Sequence, residues 1–594
     1  PSEAIKEIQI VRGAASLQYG TQFGGLINFI MKEPSNKKIE LITRNTIGSN
    51  KLFTNFTSLG GKVKKFSYYS YYNYKIGDGF RENSDYVSNN FYIHLGYDLS
   101  KKTKLTGEIS YLKYLAHQAG GLSDRMFNLN PLQSNRSRNW FSLDWLLFNF
   151  KFKHKFNDKS NLSLSFFGLD AERNTIGFRS NRVDQIDPFT ERDLIKGNFN
   201  NHGIEIKFLN NYSFLNKKNV FVIGGKYYRS KSTSQQGPGS EKEDADFNFY
   251  LNKFPNYTNQ SDYVYPNKNF AFFGENIIYL SEKLSFTPGF RYENILTKSR
   301  GSFKQINLDA AGNVIYNNTN YERKDSKRSF FLLGLGLSLK TLNSLEIYSN
   351  ISQNYRSVTF ADISIVNPAF AINPDISDER GLTLDLGLRG DIKDLVSLDF
   401  TFFNLLYRDR IGFSQKEFKD GSVKSERGNI GDAIIYGLES NIDFDVNNLL
   451  IKNDNMSLNY FINTALIDSE YTRSDENGVI GKKVEFVPNV NLKTGIKYGF
   501  ENFIFNIQYS YISNQYTDSS NAKEGNLSGI IGEIPAYSLV DFSFSYLYKN
   551  LRLETGINNV SNTFYFTRRA TGYPGPGIIP SPPRNTYLTL QIKI

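Results

Sequence analysis

Apolar and polar residues alternate along most of this chain, from about residue 39 to its last residue. In 382–388, leucine occupies every second position, with threonine, aspartate and glycine between. The same period of two runs through 540–546 and 588–594. A period of two gives a β-strand one apolar and one polar face. Because helical periodicity is nearly absent, the chain is predicted to be all-β.

The alternating segments predict 22 strands. Their approximate bounds are 39–48, 52–62, 65–76, 89–99, 103–114, 140–154, 160–170, 201–213, 218–231, 268–281, 284–296, 328–340, 344–352, 379–391, 395–408, 432–446, 455–467, 484–499, 502–512, 535–548, 551–558 and 586–594. Apart from the first hairpin, short turns rich in Asn, Asp and Lys alternate with long loops. This alternation is typical of a transmembrane barrel, whose short turns face the periplasm and whose long loops face outside.

Strand length and aromatic content agree with a 22-stranded antiparallel transmembrane β-barrel. A strand of about 11 residues, tilted near 40°, rises roughly 28 Å and can cross an apolar band of about 25 Å. The 38 tyrosines and 49 phenylalanines suit the aromatic girdles of such a barrel. A soluble propeller is disfavoured because no repeat of about 40–50 residues is found.

The composition excludes several classes of function. The chain has no cysteine and only four histidines, which excludes disulfide scaffolds, thiolate zinc sites and cysteine nucleophiles. Its net charge of +11 is spread along the chain, and no nucleic-acid-binding motif accompanies it. No set of nucleophile, base and orienting group can be proposed. We therefore expect no enzyme activity, cofactor, metal site or nucleic-acid partner.

Residues 1–33 follow a different pattern, with a strand at Ile5–Val11, a turn at Ala14–Tyr19 and a strand at Leu26–Met31. The Arg-Gly, Tyr-Gly and Gly-Gly-Leu-Ile-Asn elements resemble the end of the plug domain in TonB-dependent outer-membrane receptors, just before the barrel. The matching positions are Arg12, Gly13, Tyr19, Gly20, Gly24, Gly25 and Asn28. We expect these seven residues to be structural, because glycines often only permit tight turns.

The resemblance implies a plug remnant over 1–33 and a barrel over 34–594. It also implies a monomer in the Gram-negative outer membrane, surrounded by lipid and lipopolysaccharide, that imports a ferric chelate. Members of this family have a longer plug, preceded by a box that binds TonB of the TonB–ExbB–ExbD complex. Neither is in this sequence, so the chain is expected to be a fragment of a longer receptor. The alternative is a passive pore.

Arginine-rich loops suggest an anionic ligand, because arginine binds carboxylates through two parallel hydrogen bonds. The loop at 559–585 has no acidic residue, the loop at 115–139 has one, and the loop at 297–327 has six basic residues against three acidic ones. The candidate ligand-binding residues are Arg125, Arg136, Arg138, Arg568 and Arg569, with His117 as a candidate should the ligand be haem.

Two loop segments sharpen the ligand prediction. The segment from Gly120 to Arg136 and the segment from Gly572 to Asn585 resemble the corresponding loops of ferric citrate-type receptors. Ferric citrate and many ferric siderophores are negatively charged, which suits the arginines. The alternatives within the same family are haem, cobalamin and oligosaccharide.

Overall fold

The computed structural model describes most of the chain. The described residues are 1–594 except 12–16, 22, 24, 181, 343, 360–369, 419–422 and 573–574. None of the helices within these residues is long and apolar enough to cross a membrane. They comprise α1 (Asp124–Leu129), a 3₁₀ turn at Ser2–Ala4 and a π-helical turn at Asn447–Ile451.

Nearly all other regular structure in the described residues is β-strand. In chain order the strands are β1 (Ile5–Val11), β2 (Leu26–Met31), β3 (Glu40–Gly48), β4 (Leu52–Val63), β5 (Phe66–Gly77), β6 (Tyr86–Ser100), β7 (Thr103–His117), β8 (Trp140–Lys155), β9 (Ser160–Gly177), β10 (Asp193–Phe214), β11 (Lys217–Pro238), β12 (Ser261–Tyr279), β13 (Leu284–Leu308), β14 (Val314–Leu342), β15 (Leu345–Arg356), β16 (Phe370–Ile372), β17 (Glu379–Ile392), β18 (Val396–Glu417), β19 (Val423–Asp445), β20 (Met456–Arg473), β21 (Val490–Phe500), β22 (Phe503–Ile512), β23 (Gln515–Tyr516), β24 (Glu533–Ile534), β25 (Tyr537–Tyr548), β26 (Leu551–Asn558), β27 (Phe566–Ala570), β28 (Gly577–Pro580) and β29 (Asn585–Lys593).

Twenty-two of these strands close into one antiparallel barrel within the described part of the chain. Strands adjacent in sequence pair with each other, and β29 pairs with β3 to close the cylinder, with Leu588 opposite Ile47. β1 and β2 form a separate hairpin. The short strands β16, β23, β24, β27 and β28 lie in loops. The predicted all-β, 22-stranded antiparallel fold is confirmed.

The barrel wall has the two faces that the alternation predicts. On β12, Phe270 and Phe272 are 47% and 40% exposed, whereas Ala271 and Phe273 between them are 0% exposed. The exposed aromatic face points to lipid, because a spanning strand pairs all its backbone groups within the sheet and needs only an apolar exterior. The other face lines the lumen.

The strands extend further outward than the alternation predicts. β13 continues to Leu308 and β14 begins at Val314, so the predicted loop at 297–327 is wrong and is instead a long hairpin with a short turn at 309–313. Most residues of this extension are polar and show no regular alternation, because beyond the membrane a strand needs paired backbone groups but no apolar side. β21 begins at Val490, later than the predicted 484.

Residues from the N-terminal segment lie inside the barrel. The Leu17 carbonyl accepts a hydrogen bond of 2.8 Å from Arg291 of β13. The backbone N–H of Tyr355, at the end of β15, donates to the Thr21 carbonyl at 2.8 Å. The ring of Phe23 stacks at 3.9 Å, between centroids, on a tyrosine of β18. These contacts place Leu17, Thr21 and Phe23 against the lumenal wall of β13–β18.

Four of the residues matched to the plug motif lie in the described part of the chain: Tyr19, Gly20, Gly25 and Asn28. Tyr19 lies 4.7 Å from the ammonium of Lys207, and Asn28 donates to Gln9 across the β1–β2 hairpin at 3.1 Å. Gly25 has φ of +83°, a conformation that favours glycine. A Cβ added at Gly20 would meet no atom within 4 Å. Arg12, Gly13 and Gly24 lie outside the described residues.

Candidate ligand-binding vestibule

Eleven connections gather at the end of the barrel opposite the short turns. They are L1 (49–51), L2 (78–85), L3 (118–139), L4 (178–192), L5 (239–260), L6 (309–313), L7 (357–378), L8 (418–422), L9 (474–489), L10 (513–536) and L11 (559–584). Consecutive antiparallel strands alternate in direction, so every second connection lies at the same end. The described residues of these connections surround the vestibule, the outer mouth of the barrel.

L3 and L11 pack directly on each other. Leu122 and Ile578 exchange two backbone hydrogen bonds of 2.8 Å, and both side chains are 0% exposed. A Cβ at Gly121 would lie 1.9 Å from the Pro576 carbonyl oxygen, so only glycine permits this approach. The two segments that resemble ferric citrate-type loops are therefore one packed unit.

Arg569 of L11 links this unit to L10 by hydrogen bonds. Its guanidinium donates two hydrogen bonds to the Asp124 carboxylate, at 2.8 and 2.5 Å, and a third to the Glu533 carbonyl at 2.9 Å. The Arg569 side chain is 1% exposed. One predicted ligand arginine thus joins L3, L10 and L11, and its donors are occupied by the protein itself.

Arg136 and Arg138 have similar roles in L3. Arg138 donates to both oxygens of Asp187 in L4, at 2.8 and 2.6 Å, and to the Glu241 carbonyl in L5 at 2.6 Å. Arg136 donates to the hydroxyl of Ser180 in L4 at 3.0 Å. Burial lowers the pKa of the Arg136 guanidinium from its ordinary value. Both residues are 5% exposed or less.

Two further arginines of this kind were missed by the sequence analysis. Arg81 of L2 donates to the Gly120 and Gln133 carbonyls of L3, at 2.8 and 2.6 Å, and burial lowers its pKa to about 10. Arg192 of L4 donates to the Ser240 carbonyl of L5 at 2.8 Å. Their partners are backbone carbonyls distant in sequence, so no local signal distinguishes them from solvated arginines.

The remaining candidates are more accessible. Arg125 and Arg568 are exposed and make no hydrogen bond or ion pair with any described residue. His117 is less accessible, at 17% side-chain exposure, because its ring stacks on Trp140 at 3.3 Å and its Nδ1 lies 2.6 Å from an Asp85 oxygen. Only the two arginines keep their charges free for a ligand.

A cavity of about 860 Å³ opens on the other side of the vestibule. Its walls come from the extracellular ends of β10–β14, and residues of L5 and L7 complete it. Four aromatic side chains contribute to the lining: Tyr263, Tyr265, Phe303 and Tyr321. Their alternate positions along β12 place Tyr263 and Tyr265 on the lumenal face.

The charge around this cavity is positive. Three basic residues, Lys304, Arg323 and Lys324, line it against one carboxylate, Glu322. The Tyr263 hydroxyl donates to that carboxylate at 2.8 Å. Lys304 and Lys324 form no ion pair with any described residue, whereas Arg323 lies 3.5 Å from an Asp325 oxygen. Two unpaired lysines beside aromatic rings suit an anion with apolar parts.

A buried carboxylate connects L4 and L5 next to the cavity. Asp193, 4% exposed, accepts from Arg179 of L4 at 2.6 Å and from the Tyr257 hydroxyl of L5 at 2.9 Å. Burial, with the adjacent Asp193 charge, raises the pKa of Tyr257 well above its ordinary value. The tyrosine remains protonated and keeps donating, which fixes L5 beside the cavity.

Comparison with a family model settles what kind of protein has this barrel. The model for the β-barrel of TonB-dependent receptor-like proteins matches residues 92–560, well over half of the chain. The chain belongs to the TonB-dependent receptor family. This TonB-dependent receptor is accordingly an outer-membrane protein, and a receptor and transporter rather than an enzyme.

Solved structures of other receptors share the whole fold. The unliganded ferric citrate transporter FecA aligns over 99% of this chain and 83% of its own, with a TM-score of 0.79 and 18% identity. The ferric yersiniabactin uptake receptor FyuA from Yersinia pestis covers 99% and 85%, at 0.75 and 13%. The copper transporter OprC covers 100% and 86%, at 0.76 and 14%. At such identities the matches establish the fold and leave the ligand open.

Proposed function

We propose that this TonB-dependent receptor binds and imports an anionic ferric chelate of the ferric citrate kind. The observation that carries the proposal is the vestibule cavity of about 860 Å³, with three basic residues and four aromatic ones in its lining. Its volume is within the range of ordinary ligand sites, about 300–1,000 Å³. Cations that line this cavity would capture a negatively charged chelate before it meets the plug.

The candidate arginines divide into two roles under this proposal. Arg125 and Arg568 attract ligand from the outer surface, because their charges are free. Arg136, Arg138 and Arg569 hold the loops in place, because their donors are already bound by protein oxygens. The three buried arginines thus shape the vestibule and contact ligand little.

Transport would require the N-terminal segment to move. We assign residues 1–33 to the plug and 34–594 to a barrel that functions as a monomer. The hydrogen bonds from Arg291 to Leu17 and from Tyr355 to Thr21 tie this segment to the wall. Force from the TonB–ExbB–ExbD complex, applied through the plug, would have to break these contacts to open a path.

The cavity can be tested by binding of ferric citrate to the purified receptor. Replacing Lys304 and Lys324 together by glutamine is expected to weaken binding by about tenfold per lost charge-assisted contact. Replacing Lys64 and Lys549, two exposed lysines of periplasmic turns, by glutamine removes the same charge and should change nothing.

Several results would contradict the proposal. Unchanged affinity in the Lys304/Lys324 variant would remove the cavity as the binding site. Saturable binding of haem, cobalamin or an oligosaccharide in place of ferric citrate would exclude the chelate. A large, stable open current from the purified protein in a planar bilayer would favour a passive pore.

A further inference from the structure

Another cavity, of about 760 Å³, lies at the end of the barrel opposite the vestibule. Lys101 and Lys102 of the short turn between β6 and β7 line it, which places it at the periplasmic end. Gln18 and Tyr19 of the N-terminal segment line it as well. The cavity therefore lies in the lumen, between this segment and the wall formed by β6–β12.

Strand register arranges three lysines across this wall. Lys104 of β7 is directly opposite Lys153 of β8, which is opposite Ser163 of β9. Ser163 is in turn opposite Lys207 of β10. All three lysines line the cavity, and we name them the lysine row.

The lysine row faces the lumen. Leu105, next to Lys104, and Ile206, next to Lys207, are 41% and 45% exposed on the lipid-facing side. Successive side chains of a strand point to opposite faces of the sheet, so the lysines point inward. Directly opposed residues have Cβ atoms about 4.5–5.5 Å apart, and like charges at that separation destabilise a sheet.

The described residues of the lining supply little neutralising charge. Six lysines line the cavity against two carboxylates, Asp98 and Glu275. Asp98 is already paired, with one oxygen 3.3 Å from the ammonium of Lys62. Basic charge therefore exceeds acidic charge around the cavity.

Two cations of the lysine row are unpaired. The ammonium of Lys207 lies 3.1 Å from a Glu205 oxygen. Lys104 and Lys153 make no hydrogen bond or ion pair with any residue that the structure describes. Because these two stand opposite each other, an anion between them would remove their repulsion.

Other cations of the lumenal wall have carboxylate partners. Arg44 of β3 forms an ion pair with Glu554 of β26. Arg291 of β13 lies 2.5 Å from Glu293 on the same strand. The unpaired lysines therefore distinguish the β7–β8 side of the lumen.

Apolar side chains complete the cavity. Leu209, Val222 and Ile277 contribute to its lining, and Leu209 is directly opposite Val222. Ligand sites commonly combine apolar walls with a few polar groups that fix the orientation of the ligand. This combination suits an organic anion whose carbon atoms contact the apolar residues and whose carboxylates reach the lysines.

We propose that this cavity binds the anionic chelate a second time, at the periplasmic exit of the lumen. The proposal rests on the proposed function, because the ligand is the anion that the vestibule is proposed to bind. A chelate that passes the N-terminal segment meets Lys104 and Lys153 before it leaves the barrel. A site on a transport path must release its ligand, and the carboxylates of Asp98 and Glu275 keep the affinity low.

The test is calorimetric titration of the purified chain with ferric citrate. The unchanged protein is expected to bind two ligands, the first in the vestibule and the second, more weakly, in the periplasmic cavity. Replacing Lys104 and Lys153 together by glutamine should weaken the second step about 100-fold, or tenfold for each lost charge-assisted contact. The first step should not change.

The matched control replaces Lys64 and Lys549 by glutamine. These exposed lysines lie in turns at the same end of the barrel and outside the cavity, so both binding steps should stay within about twofold of the unchanged protein. Equal weakening of the second step in this control would show that the ligand responds to net charge, which overturns the exit site. Displacement of the second ligand by an equal concentration of inorganic phosphate would also overturn it.

The Lys304/Lys324 variant separates this proposal from the proposed function. A single binding step that is lost in that variant and unchanged in the Lys104/Lys153 variant overturns the exit site and leaves the proposed function standing. A step lost only in the Lys104/Lys153 variant supports the exit site and contradicts the vestibule. Should the double variant fold poorly, by its heat-dependent mobility on a gel, Lys153→Gln alone is expected to weaken the second step about tenfold. An unchanged second step in that single variant overturns the exit site.

Discussion

The two sides of the vestibule use their basic residues in opposite ways. On one side, L3, L4, L5 and L11 are joined by arginines that are almost wholly buried, with Arg138 1% and Arg192 0% exposed. On the other, the β13–β14 hairpin carries Lys304 and Lys324 beside an open cavity, and its Tyr321 is 83% exposed. A basic loop residue near a binding site therefore need not contact the ligand.

Loop crowding accounts for the difference. Loops packed on one another bury backbone carbonyls that no sheet or helix pairs, and each such carbonyl needs a donor. Arginine has five N–H donors in a planar fork and can satisfy several carbonyls at once. A regular hairpin such as β13–β14 pairs its own backbone, so its cations remain available.

The largest expected effect comes from Arg138→Ala. The change leaves the buried Asp187 carboxylate unpaired and the Glu241 carbonyl without its donor. It should lower the local free energy of unfolding of L4 by about 3–5 kcal/mol, measured by hydrogen exchange over 178–192. Arg182→Ala, which breaks an ion pair with Asp184 at half-exposed positions, is the control and should cost under about 1 kcal/mol. Similar hydrogen exchange in the two variants would show that the buried arginine stabilises L4 no more than the exposed one.

A second test addresses the junction of L3 and L11. Arg569→Ala, Asp124→Ala and the double variant form a cycle whose coupling free energy should be about 2 kcal/mol, measured by thermal unfolding. The value is smaller than for Arg138 because the Asp124 side chain is 41% exposed. A coupling near zero would show that the hydrophobic contact of Leu122 with Ile578 holds the loops alone.

The smallest effect on stability is expected from Arg125→Ala and Arg568→Ala. Both side chains are exposed and unpaired among the described residues, so each change should alter unfolding by less than about 0.5 kcal/mol. Ferric citrate binding should nevertheless weaken a few-fold and show a reduced dependence on salt. A loss of stability without a loss of affinity would show that these two arginines stabilise the loops and do not bind the ligand.

The barrel could be predicted from the sequence because its pattern is local. Each spanning strand needs an apolar face toward lipid and a polar face toward the lumen, as the alternation of exposed Leu384 and Leu386 with buried Thr383 and Asp385 shows. Beyond the membrane, a strand no longer needs an apolar face. The hairpin extension from 297 to 327 therefore carried no alternation and was predicted as a loop.

The candidate site was less predictable. The sequence analysis selected Arg136, Arg138 and Arg569 because they are arginines in acid-poor loops. It could not predict that protein carboxylates such as Asp187 and Asp124 accept their hydrogen bonds. The cavity cations lie on the two strands of one hairpin, and strand register alone brings them beside Tyr263 and Tyr265 of β12.

By itself the sequence determined the all-β class, the number of strands and the membrane-facing side, since lipid imposes a period of two on every crossing. It also determined the family, through the spacing of short motifs. Only the tertiary structure decided which arginines are buried between loops and where the open cavity lies. These depend on contacts between distant segments, which no local pattern of residues records.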